Sequence, residues 1–567
     1  MAMIMKKIYH TIAILFLSLS FSATTFASIN PLQEKDPISF KAEKKWLRIP
    51  VKNGATKRNV ELFRAGEKVR WFNVELAEGQ ADWYAYLDIS AWKGEKLEIR
   101  VDTITKAFHT LTQTNDDSNA GKQYAEEYRG QFHFSPKRGW NNDPNGMVYY
   151  EGQYHLFFQY NPYGVDWGNM HWGHAVSTDL VHWKELDIAL YPDVHGTMFS
   201  GGGLVDEKNT SGFGTTKKPP MLLFYTAAEE SWDQGLAYTT DGKRFSKLDH
   251  TVVKKITDGN RDPKVIWHEP SQRWVMVLYV EESGGLHTMH FFTSKDLKAW
   301  DTASVFKGGQ GDDRYMFECP EFFELEISGG NGEKKWVLTG ANSEYAIGTF
   351  DGRVFTPEIE RLNGNFGRDF YAAQTFSNEP KGRRIEMGWW RTHTKDKGMI
   401  FNQSMSIPME IKLIQTDQGP RMTRTPVVEL QKLRSKRHSF SSLNLKKGIE
   451  NPLKNINAEL AEIRLELEIG SANEIALDLR GVALKYDTQK QELSVDGIKA
   501  PVASKNGKLD LTVFVDRTGL EIFTNKGLVF IPVNKNLESS NRSFSISVSG
   551  GESTIRSLEL HELKSAW

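Results

Sequence analysis

The sequence has one cysteine in 567 residues, Cys319. No intrachain disulfide and no multi-cysteine metal site can form from it. An excess of charge of one sign is missing too, since 71 Lys and Arg stand against 72 Asp and Glu. No global field draws such a chain to nucleic acid or to an anionic membrane. Long apolar runs are scarce. The run at residues 12–21 is too short to span a bilayer comfortably. It follows Lys6 and Lys7 and precedes Thr25-Phe26-Ala27, so residues 1–27 read as a signal peptide. The mature chain then starts near Ser28, secreted or periplasmic, with no membrane attachment after cleavage; an uncleaved anchor is the rival reading.

What is present points to an all-β protein. Aromatics make up 12% of the chain and glycines number 47, which suits strands joined by many turns. The length leaves room for about three or four domains. Residues 46–51, 60–63, 69–76, 83–89 and 97–101 alternate apolar with polar side chains and predict a small N-terminal β domain over 28–115. Core packing is the expected use of its Trp71, Trp83 and Trp92, contact with glycan the alternative. A polar stretch around residues 112–121 marks a linker, placed at 116–128.

The middle of the chain repeats itself. Ser177-Thr-Asp-Leu-Val-His-Trp183 recurs as Ser294-Lys-Asp-Leu-Lys-Ala-Trp300, with looser copies at Thr239-Thr-Asp-Gly-Lys-Arg-Phe245 and Thr349-Phe-Asp-Gly-Arg-Val-Phe355. The pattern describes a turn whose Asp caps local backbone and whose aromatic returns to the core. A spacing of 55–62 residues filled with short strands fits one propeller blade, and residues 129–430 hold about five.

The repeat also sets a phase. Asp143, Asp262 and Glu318 lie 34, 32 and 31 residues before three of its copies, so all three should face one central channel. Convergent carboxylates raise one another's pKa, a cost that glycoside hydrolysis uses. Glu318, between apolar Phe317 and Cys319, is the better proton donor. Asp143, among asparagine amides, is the better nucleophile, and Asp262 beside Arg261 should stay ionised and hold sugar hydroxyls. A Ca²⁺ or Mg²⁺ site is the competing use of three acids, but an EF-hand spacing is absent.

Trp140-Asn-Asn-Asp-Pro-Asn-Gly146, Arg261-Asp-Pro263 and Glu318-Cys-Pro320 together closely resemble the three signature motifs of glycoside hydrolase family 32, the invertases, inulinases, levanases and fructan β-fructosidases. The resemblance runs from about 125 to 567. It implies a five-bladed β-propeller followed by a C-terminal β-sandwich, here over 431–567, and cleavage of β-fructosides with retention, without cofactor or metal. Asp143 corresponds to the nucleophile, Glu318 to the acid/base and Asp262 to the transition-state stabiliser. Asn142, Gln159, Trp167, Phe199, Ser200, Arg261, Asp369 and Trp390 look like fructose-binding residues, with core packing a rival use for Trp390. Asn141 stands where the family often has Met. The N-terminal β domain lies outside the common plan and resembles that of some bacterial levanase-type members. The resemblance implies release of fructose from levan or inulin, with sucrose left open. An endo-acting levanase or inulinase, a sucrose-preferring invertase or fructosyltransferase, and a binding-only propeller remain alternatives. In the last segment, Asp516-Arg-Thr-Gly519 followed by an apolar run predicts a hairpin, with Asp516 and Glu521 at a sandwich edge.

Overall fold

The computed structural model describes residues 37–117 and 123–567. The expected signal peptide lies outside the described residues, as does the middle of the expected linker. Among the described residues the chain is built of strands, with helical turns only as short 3-10 segments. No helix among them is long and apolar enough to cross a membrane.

Five blades form a propeller. Blade I contains Gly139–Tyr150, Gln153–Asn161, His171–Ser177 and Lys184–Glu185, and blade III contains Arg261–His268, Arg273–Glu282, Leu286–Ser294 and Asp301–Gln310. Blade II, between them, is built on the hairpin Met221–Ala228 and Asp233–Thr239. Blade IV runs Glu321–Ser328, Lys334–Thr339, Tyr345–Phe350 and Phe355–Leu362. Blade V is assembled from Phe370–Thr375, Arg384–Trp390, Met409–Thr416 and Gly419–Pro426. The inner strands Gly139–Tyr150, Gly203–Val205, Arg261–His268, Glu321–Ser328 and Phe370–Thr375 touch in that order, and the fifth touches the first, so the ring closes. The inner strands of blades I and II approach so closely that a Cβ on Gly203 would meet the Gly146 carbonyl oxygen at 2.4 Å. The short strand Phe401–Asn402 returns from blade V to pair, parallel, with Gly139–Trp140 of blade I.

The repeated turn joins the third and fourth strands of blades I–IV. Asp179 accepts from the backbone N–H groups of Val181 and His182, and Asp241, Asp296 and Asp351 do the same two and three residues on. Blade V turns instead through a tight hairpin that sets Thr416 opposite Gly419. That turn has no room for the seven-residue pattern, which explains four copies for five blades.

The inner strands also share a buried ion pair. Lys264 and Glu321, on the inner strands of blades III and IV, pair at 2.6 Å with both side chains at most 3% exposed, and Thr375 of blade V donates to Glu321.

The N-terminal domain packs a four-stranded on a three-stranded sheet. Thr112–Thr114 pairs with Trp46–Arg48, so the polar stretch read as linker begins as an edge strand. Trp83 and Trp92 are buried as expected, whereas Trp71 is only partly so. Tyr163 and Val165 of a blade I loop join this domain's core, and Phe72 stacks on Tyr163 at 3.8 Å.

The C-terminal sandwich packs a six-stranded on a five-stranded sheet. Alternation is plain in Ala461–Glu468, where Ile463, Leu465 and Leu467 are buried and Arg464 and Glu466 exposed. Its Phe514, Phe523 and Phe530 join Phe370, Ile385 and Met409 of the propeller in one continuous core. The predicted hairpin is present, with Asp516 opposite Gly519. Its acids are not at an open edge. Asp516 and Glu521 are fully buried against the propeller and grip His133, Asp516 Oδ2 lying 2.7 Å from Nδ1 and Glu521 Oε2 3.0 Å from Nε2.

Candidate active site

Asp143 lies on the inner strand of blade I, Asp262 on that of blade III, and Glu318 just before that of blade IV. Each Asp sits where the pairing register slips, between Asn141 and Pro144 and between Arg261 and Lys264. A bulge of this kind re-aims a side chain out of strict alternation, and a proline tolerates the missing ladder bond. Asp262, Glu318 and Cys319 also have φ of 68°, 39° and 44°, left-handed values that non-glycine residues keep only where surroundings impose them. The Asp-Pro dipeptides and the Glu-Cys-Pro triplet thus bend the inner strands inward at one level of the channel.

The three carboxylates meet around Cys319. Its Sγ lies 3.4 Å from Asp262 Oδ2 and 3.6 Å from Asp143 Oδ2, and its backbone N–H donates to Asp262 Oδ2 at 2.9 Å. Ser200 Oγ donates to Asp143 Oδ2 at 2.6 Å, and Asn142 Nδ2 donates to Oδ1 at 3.1 Å. Trp140 Nε1 in turn holds Asn142 at 3.0 Å. Glu318 receives two bonds from Arg261 on Oε2, at 2.8 and 2.9 Å, and the Tyr371 hydroxyl on Oε1.

Burial pushes the Asp143 carboxyl above its ordinary range, and the charge of Glu318 adds to the rise. Burial likewise drives Asp262, 4% exposed, up to about 7, with Glu318 and Asp143 assisting and Arg261 opposing. Arg261 does pull Asp262 toward the ionised form, as expected, but burial outweighs it. The guanidinium bonds Glu318 and also lies 3.8 Å from Asp262, within ion-pair range.

Most of the other predicted residues gather here. Asn142, Ser200 and Arg261 bond the carboxylates directly. Gln159 is buried and donates to the Met198 carbonyl at 2.8 Å, close to the Phe199–Ser200 turn. Phe199 packs edge-on against Trp167, which is 48% exposed at the rim. Asp369 opens the inner strand of blade V and accepts from the backbone N–H of Asn534 in the sandwich at 3.1 Å.

Trp390 is not at the site. It is fully buried at the interface with the sandwich, its ring 3.9 Å from that of His133, and a Cβ on Gly519 would strike it at 2.8 Å. The preceding residue faces the site: Trp389 lies edge-on to Trp140 and Tyr371, and Arg391 lies over Trp389 and Tyr371. Tyr371, Cys319, Trp389 and Thr226, whose hydroxyl accepts from the Asp262 N–H at 3.0 Å, were missed by the sequence reading. Tyr371 was reachable, because it falls two positions after Asp369, on the same side of an inner strand.

Comparison with known proteins agrees with this geometry. The family described as "Glycosyl hydrolases family 32 N-terminal domain" matches residues 133–426, and "Glycosyl hydrolases family 32 C terminal" matches 429–562. The N-terminal domain lies outside both matches. A levanase of Bacillus subtilis (strain 168) is 37% identical over 496 residues, covering 80% of this chain and 72% of its own. An extracellular exo-inulinase of Aspergillus ficuum is 30% identical over 525 residues, 78% of this chain and 96% of its own. The crystal structure of an exo-inulinase from Aspergillus awamori superposes with a TM-score of 0.70 at 28% identity, covering 78% of this chain and all of that one.

Proposed function

The chain belongs to glycoside hydrolase family 32, as a glycosidase acting on fructans, and from that membership we propose how it works. It is a secreted enzyme that releases fructose from levan or inulin, and also accepts sucrose, by retaining double displacement. The convergence of Asp143, Asp262 and Glu318 around Cys319 carries the proposal.

Asp143 attacks the anomeric carbon of the terminal fructose. Ser200 and Asn142 donate to its two oxygens and so aim the carboxylate. Glu318, fixed by Arg261 and Tyr371, protonates the departing oxygen and then takes a proton from the water that hydrolyses the fructosyl ester. Asp262, bound through Oδ2 to Cys319, presents its remaining oxygen to ring hydroxyls. Asn142, Gln159, Trp167, Phe199, Ser200, Arg261 and Asp369 form the sugar-binding wall, Trp389 taking the place first given to Trp390. The chain divides into the N-terminal β domain at 28–115, the propeller at 129–430 and the sandwich at 431–567.

Chromatography of the products from levan, inulin and sucrose tests this reading. Free fructose as the first product supports it, and long oligosaccharides would show endo action instead. Asp143→Asn should abolish fructose release, and Glu318→Gln should slow both attack on poor leaving groups and deglycosylation. Full activity in either variant refutes the assignment.

A further inference from the structure

A second cleft, about 420 Å³ in volume, separates the N-terminal domain from the rim of blades I and II. One wall is the outer face of a hairpin, Lys57–Arg64 with Glu67–Glu75. Strand alternation sends Val60, Leu62, Phe72 and Val74 into the domain core, each at most 4% exposed. The other face carries Asn59 opposite Asn73 and Glu61 opposite Trp71. A polar sheet face ordinarily looks into bulk water. This one looks at Trp167, Asn169, Thr197 and Glu229 of the propeller.

The gap is held at a fixed width. Asn73 and Asn169 exchange two hydrogen bonds of 2.8 Å between the two domains, and Phe72 stacks on Tyr163. Arg70 lies over Tyr191 at 4.0 Å on the same hairpin. Trp167 belongs to both the cleft and the catalytic rim, and it is the one exposed aromatic side chain among the described residues. Its ring meets Phe199, whose neighbour Ser200 donates to Asp143. A chain of contacts therefore links the nucleophile to the cleft.

We propose that this cleft binds the part of a fructan chain that lies beyond the bond being cleaved, so that the N-terminal domain supplies specificity for polymer. The inference rests on the fructan reading above and extends it to the polymer's remote sugars. A fructan is neutral, with hydroxyl edges and apolar C–H faces. Asn59, Asn73 and Thr197 suit the hydroxyls, and the indoles of Trp71 and Trp167 suit the faces. The volume falls in the range of about 300–1,000 Å³ common to small-molecule sites. Partial exposure of Trp71, where Trp83 and Trp92 are buried, gives that indole a use other than packing.

The test compares kcat/KM on a long fructan and on sucrose for the full chain. Trp71→Ala should lower the value on the polymer about tenfold, equivalent to about 1.4 kcal/mol, and leave sucrose unchanged. Asn59→Trp, at an exposed position, should cause the same selective loss by filling the cleft, and it decides the matter if Trp71→Ala fails to fold. Equal losses on both substrates, or an Asn59→Trp variant with wild-type activity on the polymer, overturn the proposal. A wild-type chain that releases no fructose from either substrate would instead sink the proposed function.

Discussion

His133 offers the sharpest test of how the propeller and sandwich hold together. The imidazole is fully buried between Asp516 and Glu521. Burial alone would depress its pKa, but the bonds to the two carboxylates overcome this and carry it up to about 9 from the ordinary 6.5. At about 1.36 kcal/mol per pH unit, that difference corresponds to about 3 kcal/mol of stability. Because the shift is upward, this stabilisation is complete below pH 6.5 and is lost as pH rises through about 9. Asp516 is held below its ordinary range against its burial, chiefly by His133, so its own contribution is lost only in acid. With an unfolding entropy of about 2.1 cal/mol/K per residue, a propeller and sandwich of this size shift by roughly 1 °C per kcal/mol, so the interface predicts a fall of about 3 °C in the transition temperature of the wild type across that alkaline window. His133→Gln should melt lower at neutral pH and lack this alkaline loss. Calorimetry of both proteins from pH 6 to 10 measures the difference between the two curves, in which other titrating groups cancel. Parallel curves would refute a charged His133.

Substitution of Asp262 should stabilise where that of His133 destabilises, although both groups lose stability as pH rises. Burial of Asp262 favours the protonated form, so native stability is present below the ordinary carboxylate range and is lost as pH rises through about 7. Asp262→Asn should be inactive yet melt above the wild type at pH 8, with the gap shrinking towards pH 4; a constant gap would contradict the raised pKa. Lys264→Met should cost about 3–5 kcal/mol in denaturant unfolding by stranding buried Glu321, and adding Glu321→Leu should recover much of it. No recovery in the double variant would mean that the pair matters by shape and not charge. The Cys319 thiol is pushed well up by burial and by the surrounding carboxylates, so iodoacetamide at about pH 8 should label it only after unfolding. Rapid labelling of the native protein would show that the acids are not packed around it.

The three acids were legible in the sequence because each belongs to a blade, and the turn between third and fourth strands kept the blades in phase. The fifth blade carries no copy because its outer hairpin closes at Thr416 and Gly419. Trp390 came from the family resemblance alone, which does not say which of two adjacent tryptophans faces the site. The register slips between Tyr371 and Gln374, so alternation cannot be counted through that part of the blade. Asp516 and Glu521 read as surface acids because their partner, His133, lies 383 and 388 residues away along the chain. Arg261 and Asp262 are an ion pair at 3.8 Å, but the hydrogen bonds of the guanidinium go to Glu318, 57 residues further along the chain. Pairings set by tertiary contact leave no local signal.

The strand Phe401–Asn402 beside Gly139–Trp140 has a consequence for biosynthesis. A nascent polypeptide emerges with the segment bearing Asp143 first, yet that segment gains its flanking partner only when translation has passed residue 402. Fragments ending earlier should carry all three acids and still lack a finished reaction centre.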